Sequence, residues 1–435
     1  MNGTIFAPAT ASGKAGVAVI RVSGLKALEA VKKMTAIKTP VPRKAMFSEI
    51  HTPDGTAVDN GLVLYFPCPN SFTGEDVVEF QTHGGRAIIS AVLSGLAQIG
   101  GFRPAGRGEF TRRAVENGKM DLTAAEGLAD LVDAETEQQR KQALRQMGGA
   151  LAKIYEDWHD RLLHVLAWME AYIDFPEEEI PEDVSADVRG KIAGLMSEIQ
   201  VHLNDGRRGE KLRDGFQIAI IGAPNAGKSS LMNRLAQRDV AIVSSTAGTT
   251  RDIIEVRLDI NGYPVIVADT AGLRDTDEEI EAEGVRRAKA RAEEADLVLW
   301  LSDALKGKNN TETEKIDSEK IFRIMNKADQ TEPQNDGNIW ISAKTGQGID
   351  VLLDRIGRFV EEKMALREEP SLTRLRHRKA LEECLQCLNS SLKAPEIELM
   401  TEDLRMAMRS LGKITGQVQV EELLDVIFKD FCIGK

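Results

Sequence analysis

Long apolar runs are missing from these 435 residues, and no stretch of about 18 apolar residues is present to span a bilayer. The opening segment, MNGTIFAPATASGKAG, lacks the basic stretch and apolar core of a signal peptide, so a cytoplasmic location is expected. Cysteine is scarce: Cys68, Cys384, Cys387 and Cys432 are too few to frame a chain of this size with disulfides, which agrees with a reducing compartment. Cys384 and Cys387 form a C-x-x-C within ALEECLQCLNSSLK, where positions i and i+3 share one helix face; with no second Cys/His pair nearby, core packing is expected rather than a zinc site. Positive charge is also short. With 56 Lys and Arg against 68 Asp and Glu, the net charge of −12 excludes indiscriminate nucleic-acid binding, and any RNA contact must be local or borrowed from a partner. Internal repeats and low-complexity tracts are absent.

What is present is a soluble, globular composition, 42% hydrophobic and 29% charged, in a chain long enough for about three domains at roughly 150 residues each. Residues 1–118 mix β-like runs such as GVAVIRVSG and GLVLYF with glycine turns, which predicts an α+β domain. At Thr123 the pattern turns helical, with TAAE predicting a capping box of Thr123 and Glu126. Apolar residues at Leu144, Met147, Leu151, Ile154, Trp158, Leu162, Val165, Met169 and Tyr172 then alternate steps of three and four, as one buried helical face demands. Pro176 and Pro181 break it. From 214 to 365, QIAIIG, PVIVAD, LVLWLS, IFRIMN and IWISA alternate with helical segments and predict a parallel sheet wrapped by helices. The tail, 366–435, is helical and too short for a core of its own, so it is expected to pack on the helices of 119–213, making the α/β domain an insertion in a helical domain.

Four motifs in that insertion carry chemistry. GAPNAGKSS places Gly222, Gly227, Lys228 and Ser229 at P-loop spacing between strand QIAII and helix SLMNRLA. The backbone of Asn225, Ala226, Gly227, Lys228, Ser229 and Ser230 can wrap a diphosphate, helped by the helix dipole and the charge of Lys228, with Ser229 on magnesium. Asp269 ends strand PVIVA, where it would hold magnesium through water, followed by Thr270, Ala271 and Gly272, whose N–H would meet the γ-phosphate. NKAD supplies Asn326, Lys327 and Asp329. Guanine's ring N–H and amino group are adjacent donors that one carboxylate accepts together, and adenine has no such pair, so Asp329 selects guanine. SAK supplies Ser342, Ala343 and Lys344, with a backbone N–H for the guanine O6. In this order, each at a strand end, the four identify a GTP-hydrolysing domain.

One part is missing. In DTAGLRD the residue after the glycine is Leu273, which cannot orient a water as glutamine does. Asn225 offers a side-chain carbonyl to a monovalent cation beside the phosphates, where an arginine finger's charge would lie. The loop SSTAGTTRD, with Ser244, Ser245, Thr246, Ala247, Gly248 and Thr249, has oxygens to complete such a cage, and Thr250 is the natural second magnesium ligand.

NAGKSS, AGTTRD, DTAGLR and the terminal FCIGK, together with SFTGEDVVEFQTHGG, make the whole chain similar to the MnmE (TrmE) family of bacterial tRNA-modification GTPases. The resemblance implies a Ras-like P-loop GTPase domain inserted in a two-segment helical domain, an amino-terminal folate-binding-like domain that dimerises, and G domains that join in the presence of potassium. It implies Glu281 as the residue bridging to the water and Asn225, Ser244, Thr246 and Thr249 as potassium ligands; from residues alone, Glu281 in DEEIEAEG is a solvated helix charge. It further implies a formyl-tetrahydrofolate donor, with Arg21, Glu79, Lys119 and Lys435 at its site, and a FAD-dependent MnmG-type partner acting with it on C5 of wobble uridine in tRNA. A pterin presents an amino group beside a ring N–H, as guanine does, so Glu79 suits it; as bare sequence these residues are surface charges. Cys432 is either a catalytic thiolate near Lys435 or a small residue packed under the last helix. RLRHRK, with Arg374, Arg376, Arg378 and Lys379, is either a tRNA contact or a set of solvated helix charges. The rival reading is a regulatory GTPase of ribosome assembly, which would copurify with ribosomal subunits instead of a flavoprotein and tRNA.

Overall fold

The computed structural model describes residues 3–11, 13–174, 182–238, 240–242, 255–269, 292–305, 318–365, 369–417, 421–429 and 431–434. They form two compact units: Met1–Ala129 with Ala152–His164 and Met408–Lys435, and Asp130–Leu151 with Val165–Ala407.

The first unit is built on a six-stranded sheet. Its strands are β1 (Thr4–Pro8), β2 (Ala18–Ser23), β3 (Met46–His51), β4 (Ala57–Phe66), β5 (Val77–Thr82) and β6 (Phe102–Pro104), in the order β3-β4-β5-β2-β1-β6. Only β1 and β6 run parallel. Alternation sorts the faces: Ile20, Val22, Val78 and Phe80 point to a core shared with α1 (Ala27–Met34) and α2 (Arg86–Ala97). In α1 the buried residues are Ala27, Ala30, Val31 and Met34, one stripe of a 3.6-residue period. The opposite face carries a smaller cluster, Ile5, Ala7, Ala105 and Phe110, the last from α3 (Glu109–Glu116).

After α3 come α4 (Leu122–Asp133), α5 (Glu137–Met147), α6 (Ala150–Asp174), α7 (Glu182–Leu203) and α8 (Arg208–Asp214). Two expectations are corrected here. Thr123 does not cap α4; it is buried inside the first turn, and Asp121 Oδ1 accepts from the Thr123 and Ala124 N–H groups at 2.6 and 3.2 Å. Asp121, a carboxylate one residue before the helix, is the better cap because it meets two orphan donors at once. A capping box does occur at α5, where Gln139 Oε1 accepts from Thr136 N–H at 3.1 Å. The apolar face from Leu144 to Tyr172 is also not one helix: Gly148 and Gly149 divide α5 from α6, and Leu144 and Met147 are exposed while Leu151, Trp158, Leu162, Val165 and Met169 are buried. Gly149 adopts φ +79°, which a continuing helix cannot contain. Pro176 and Pro181 lie outside the described residues.

The second unit contains the α/β sheet: β7 (Phe216–Gly222), α9 (Lys228–Ala236), β8 (Glu255–Ile260), β9 (Tyr263–Asp269), β10 (Leu297–Asp303), β11 (Ile321–Asn326), β12 (Ile339–Trp340) and α10 (Ile349–Met364). The order is β12-β11-β10-β7-β9-β8, parallel except for edge strand β8. β7 is apolar on both sides, with Ile218 and Ile220 in one core and Ala219 and Ile221 in the other, as a strand covered by helices on both faces must be. β8 and β9 are joined by Asn261 and Gly262 at φ 54° and 83°, the two left-handed residues of a type I′ hairpin.

The chain ends in α11 (Leu375–Lys393), α12 (Ile397–Thr415) and α13 (Glu421–Lys429). α11 packs along α7, with Arg189 Nη1 donating to the Leu392 carbonyl at 2.7 Å, so helices before and after the sheet meet and the α/β part is an insertion. α13 belongs to the first unit, where Leu424, Ile427, Phe428 and Phe431 pack with Leu122 and Ala125. Among the described residues no helix is long and apolar enough to cross a membrane.

Candidate functional site

The parallel strands leave their carboxyl ends on one edge, and the sequence of each strand decides what sits there. β7 ends in Gly222, β9 in Asp269, β10 in Asp303 and β11 in Asn326. β7 has neighbours on both sides reached by opposite crossovers, which makes the loop after it the switch point of the sheet. That loop is the P-loop. Asn225 and Gly227 hold left-handed backbone at φ 64° and 100°, the kind of turn that aims consecutive N–H groups at an anion, and α9 starts at Lys228. Lys228 Nζ bonds the loop's own carbonyls, Gly222 O at 2.9 Å and Ala223 O at 3.2 Å. Asn225, Ser229 and Ser230 are exposed on the rim and Ala226 is buried beneath it.

Asn326 fastens this loop to the guanine side. It is 3% exposed; Nδ2 donates to the Ala226 carbonyl at 2.8 Å, and Oδ1 accepts from Ala343 N–H at 3.0 Å. A Cβ on Gly227 would come within 2.1 Å of the same Nδ2, so this glycine is required by close approach as well as by its φ. Of the SAK backbone N–H groups, one of them expected to serve guanine O6, that of Ala343 is engaged by Asn326. Asp329 is exposed, and its carboxyl is held below the usual range first by the Ser342 hydroxyl, with Lys344 adding attraction. Ser342 itself is fully buried, and its Oγ accepts from Thr345 N–H at 3.1 Å. Lys327, at φ 71°, pairs with Asp303 at 2.6 Å.

Two contributors were not read from the sequence. Asp303 closes β10 and fixes Lys327; its signal was an acid at the end of a strand beside NKAD. Arg234 in α9 donates to the Ala343 carbonyl at 3.1 Å and also bonds the Lys344 carbonyl. Only its helical phase, six residues after Lys228, pointed to it. Ser244, Ser245, Thr246, Ala247, Gly248, Thr249, Thr250, Thr270, Ala271, Gly272, Leu273 and Glu281 lie outside the described residues, as does Lys435.

In the first unit the structure brings Arg21 and Glu79 together. They are register partners on β2 and β5, with Arg21 Nη2 at 2.9 Å from Glu79 Oε1. Lys119 is exposed, its stem beside Gly74. The terminal segment comes to the same sheet: Cys432 O accepts from Gly108 N–H at 3.2 Å, and Gly434 sits so close to β1 that a Cβ would lie 2.0 Å from the Pro8 carbonyl. Cys432 is exposed, which overturns the packed reading of its side chain: Phe431, not Cys432, enters the core under α13. RLRHRK is corrected in part. Arg378 is buried, bonding Asp205 at 2.9 Å, Glu210 at 3.1 Å and the Leu203 carbonyl at 2.7 Å, and Arg374 pairs with Asp130 at 2.7 Å. Arg374 and Arg378 thus pin α11 to its neighbours, whereas Lys379 is exposed, as a solvated helix charge would be, and Arg376 is half-buried.

A family model described as the MnmE helical domain matches residues 122–432, and one described as the GTP-binding protein TrmE N-terminus matches residues 4–119. Among curated relatives, the tRNA modification GTPase MnmE of Parvibaculum lavamentivorans is 55% identical over 99% of this chain and 100% of its own. That of Rhodospirillum rubrum is 49% identical over 99% of each. Among solved structures, an Aquifex aeolicus Era variant bound to GDP and AlF4− is 27% identical over 41% of this chain and 68% of its own, at a TM-score of 0.26, too low to bear on the argument. On the strength of the first four matches, the chain belongs to the MnmE family of tRNA modification GTPases.

Proposed function

We propose that this tRNA-modification GTPase is activated by potassium and acts, with a FAD-dependent MnmG-type partner, on C5 of the wobble uridine of certain tRNAs. The group installed would be an aminomethyl or carboxymethylaminomethyl group built from a tetrahydrofolate one-carbon donor, in the cytoplasm. The observation that carries the GTPase part is Asn326, which joins the P-loop at Ala226 to the guanine loop at Ala343 and leaves Asp329 exposed beside them. Lys228 and the P-loop amides would hold the phosphates, and Ser229, Thr250 and Asp269 would hold magnesium, Asp269 through water. Asn225, with Ser244, Thr246 and Thr249, would hold potassium, whose charge beside the phosphates stands where an arginine finger's would. Asn225 suits that role because it is exposed and its left-handed backbone belongs to the loop. Glu281 would orient the water in place of Leu273, with joined G domains bringing it into position.

The proposed domain limits are 1–118, 119–213, 214–365 and 366–435. The first domain would dimerise and hold the donor at Arg21, Glu79 and Lys119, with Lys435 approaching. Support for this placement comes from Gly434, which reaches the β1 end next to Ala7, the register partner of Arg21. Cys432, exposed beside it, remains the candidate thiolate. The test is nucleoside analysis of tRNA from cells in which this protein is replaced by Asp329→Ala or Glu281→Ala forms. Loss of the C5-modified uridine in both supports the reading. Full modification with either variant sinks it.

A further inference from the structure

The donor site proposed above leaves one question of geometry. A pterin that takes the Glu79 carboxylate must separate it from Arg21, and a guanidinium released from its carboxylate swings away unless something else holds it. Arg21 is held elsewhere. Its guanidinium carbon lies 5.4 Å from the centre of the Phe72 ring and 5.9 Å from that of Phe110. Both are within the range at which an aromatic face attracts a cation.

Phe110 belongs to a helix, α3, but Phe72 sits in a turn, Ser71–Glu75, and needs a reason to stay. The turn supplies several. The Ser71 hydroxyl bonds the Glu75 carbonyl, closing the loop on itself. Thr73 Oγ1 and Ser23 Oγ are 2.7 Å apart, and the Thr73 carbonyl accepts from Asn117 Nδ2 at 2.7 Å. Glu75 is the main fastening: its oxygens accept from Ser23 Oγ at 2.7 Å and from Arg113 Nη1 at 3.0 and 2.9 Å. The Arg113 side chain is 4% exposed and is itself anchored to the Gly3 carbonyl at 3.0 Å and Glu109 at 3.1 Å. A charged pair with two hydrogen bonds, one partner of which is buried, fixes the geometry of the turn it closes. The same turn reaches Lys119: a Cβ on Gly74 would meet the Lys119 Cδ at 3.3 Å.

One turn thus touches two of the donor-site residues, Phe72 on Arg21 and Gly74 on Lys119. We infer that the Ser71–Glu75 turn is part of the one-carbon donor site, with Phe72 as the positioning residue that keeps Arg21 aimed at the donor when Glu79 is engaged. This inference rests on the tetrahydrofolate reading. Phe72 binds nothing covalently and moves no proton; its contribution is to hold a cation in the free and bound states alike, so that less order is lost on binding.

The experiment is calorimetric titration of 5-formyltetrahydrofolate into the full-length protein and four variants. Phe72→Leu keeps apolar volume but removes the ring, Phe72→Tyr keeps the ring, Glu75→Gln keeps shape while weakening the fastening, and Glu79→Gln removes the pterin's partner. Phe72→Leu is expected to weaken binding roughly tenfold, the size of a partly desolvated cation–π contact. Phe72→Tyr should stay within about threefold of wild type, as the retained aromatic face requires. GTP hydrolysis and melting temperature should be unchanged in both, which a merely structural role for Phe72 would not give. Should Glu75→Gln and Phe72→Leu bind as tightly as wild type while Glu79→Gln loses affinity, the turn has no positioning role and the donor reading stands. If wild type shows no binding, or Glu79→Gln binds normally, the donor reading falls and takes this inference with it.

Discussion

Asn326 is buried and uses both ends of its amide, so water does not readily replace the bonds it makes. Asn326→Ala would leave the Ala226 carbonyl and Ala343 N–H without partners, a cost of about 1–3 kcal/mol for each group. Loosened loops bind less well, and we expect the affinity for GDP to fall at least about tenfold, measured by titration of a fluorescent nucleotide. Residue chemistry also separates the cysteines. Burial pushes the Cys384 thiol up to about 12, while Cys68 and Cys432 are exposed. An alkylating reagent at neutral pH should therefore modify Cys68 and Cys432 in the native protein and leave Cys384 until the chain is unfolded, as mass spectrometry of the peptides would record. Labelling of Cys384 at the same rate would contradict its place in the core.

Among the elements, α11 owes its position to a residue that looks from the sequence like surface charge. Arg378 serves Asp205, Glu210 and the Leu203 carbonyl, and those two carboxylates have side chains only 11% and 13% exposed. Removing the cation leaves Asp205 with backbone N–H donors from Arg207 and Leu372 but no countercharge, and Glu210 with Arg207 at 3.8 Å. Arg378→Ala should destabilise the second unit by about 3–5 kcal/mol, read as a shift in the urea midpoint, whereas Lys379→Ala, on an exposed residue, should stay within about 0.5 kcal/mol. The contrast explains what the sequence could reveal. Local chemistry was legible: NAGKSS between a strand and a helix fixes its own geometry, and so do the parallel strands with apolar residues on both sides. Partners distant in sequence were not. Nothing local says that Arg378 will meet Asp205 or Glu210. Asp121 and the Gly148-Gly149 pair are different: both are local signals, an acidic cap and a helix breaker, that the TAAE pattern and the unbroken apolar phase obscure. The β8–β9 hairpin was missed although its signal was present, since Asn261-Gly262 follows the alternating Val256, Leu258 and Ile260. Its turn is held by α5, whose Gln138 N–H donates to the Gly262 carbonyl at 3.0 Å.

At the scale of the whole molecule, the amino-terminal unit carries a buried carboxylate that makes it sensitive to acid. Burial works against the Glu109 charge, but hydrogen bonds from Arg103 and from Gly106 N–H overcome it and lower the pKa from 4.5 to about 2. A carboxylate depressed on folding contributes stability that is complete above its unfolded pKa and is lost as pH falls through the folded value. The window is therefore from about pH 4.5 down to about 2, with on the order of 3 kcal/mol at stake. Glu109→Gln should lose stability near neutral pH and show a flatter acid limb in that window, measured by urea unfolding at successive pH values. The proposed mechanism has potassium and Glu281 take the place of a glutamine. The direct measurement is GTP hydrolysis by the full-length protein in potassium and in sodium at equal ionic strength, beside Asn225→Ala. The account predicts strong stimulation by potassium alone and its loss in the variant; equal rates in the two salts would contradict it.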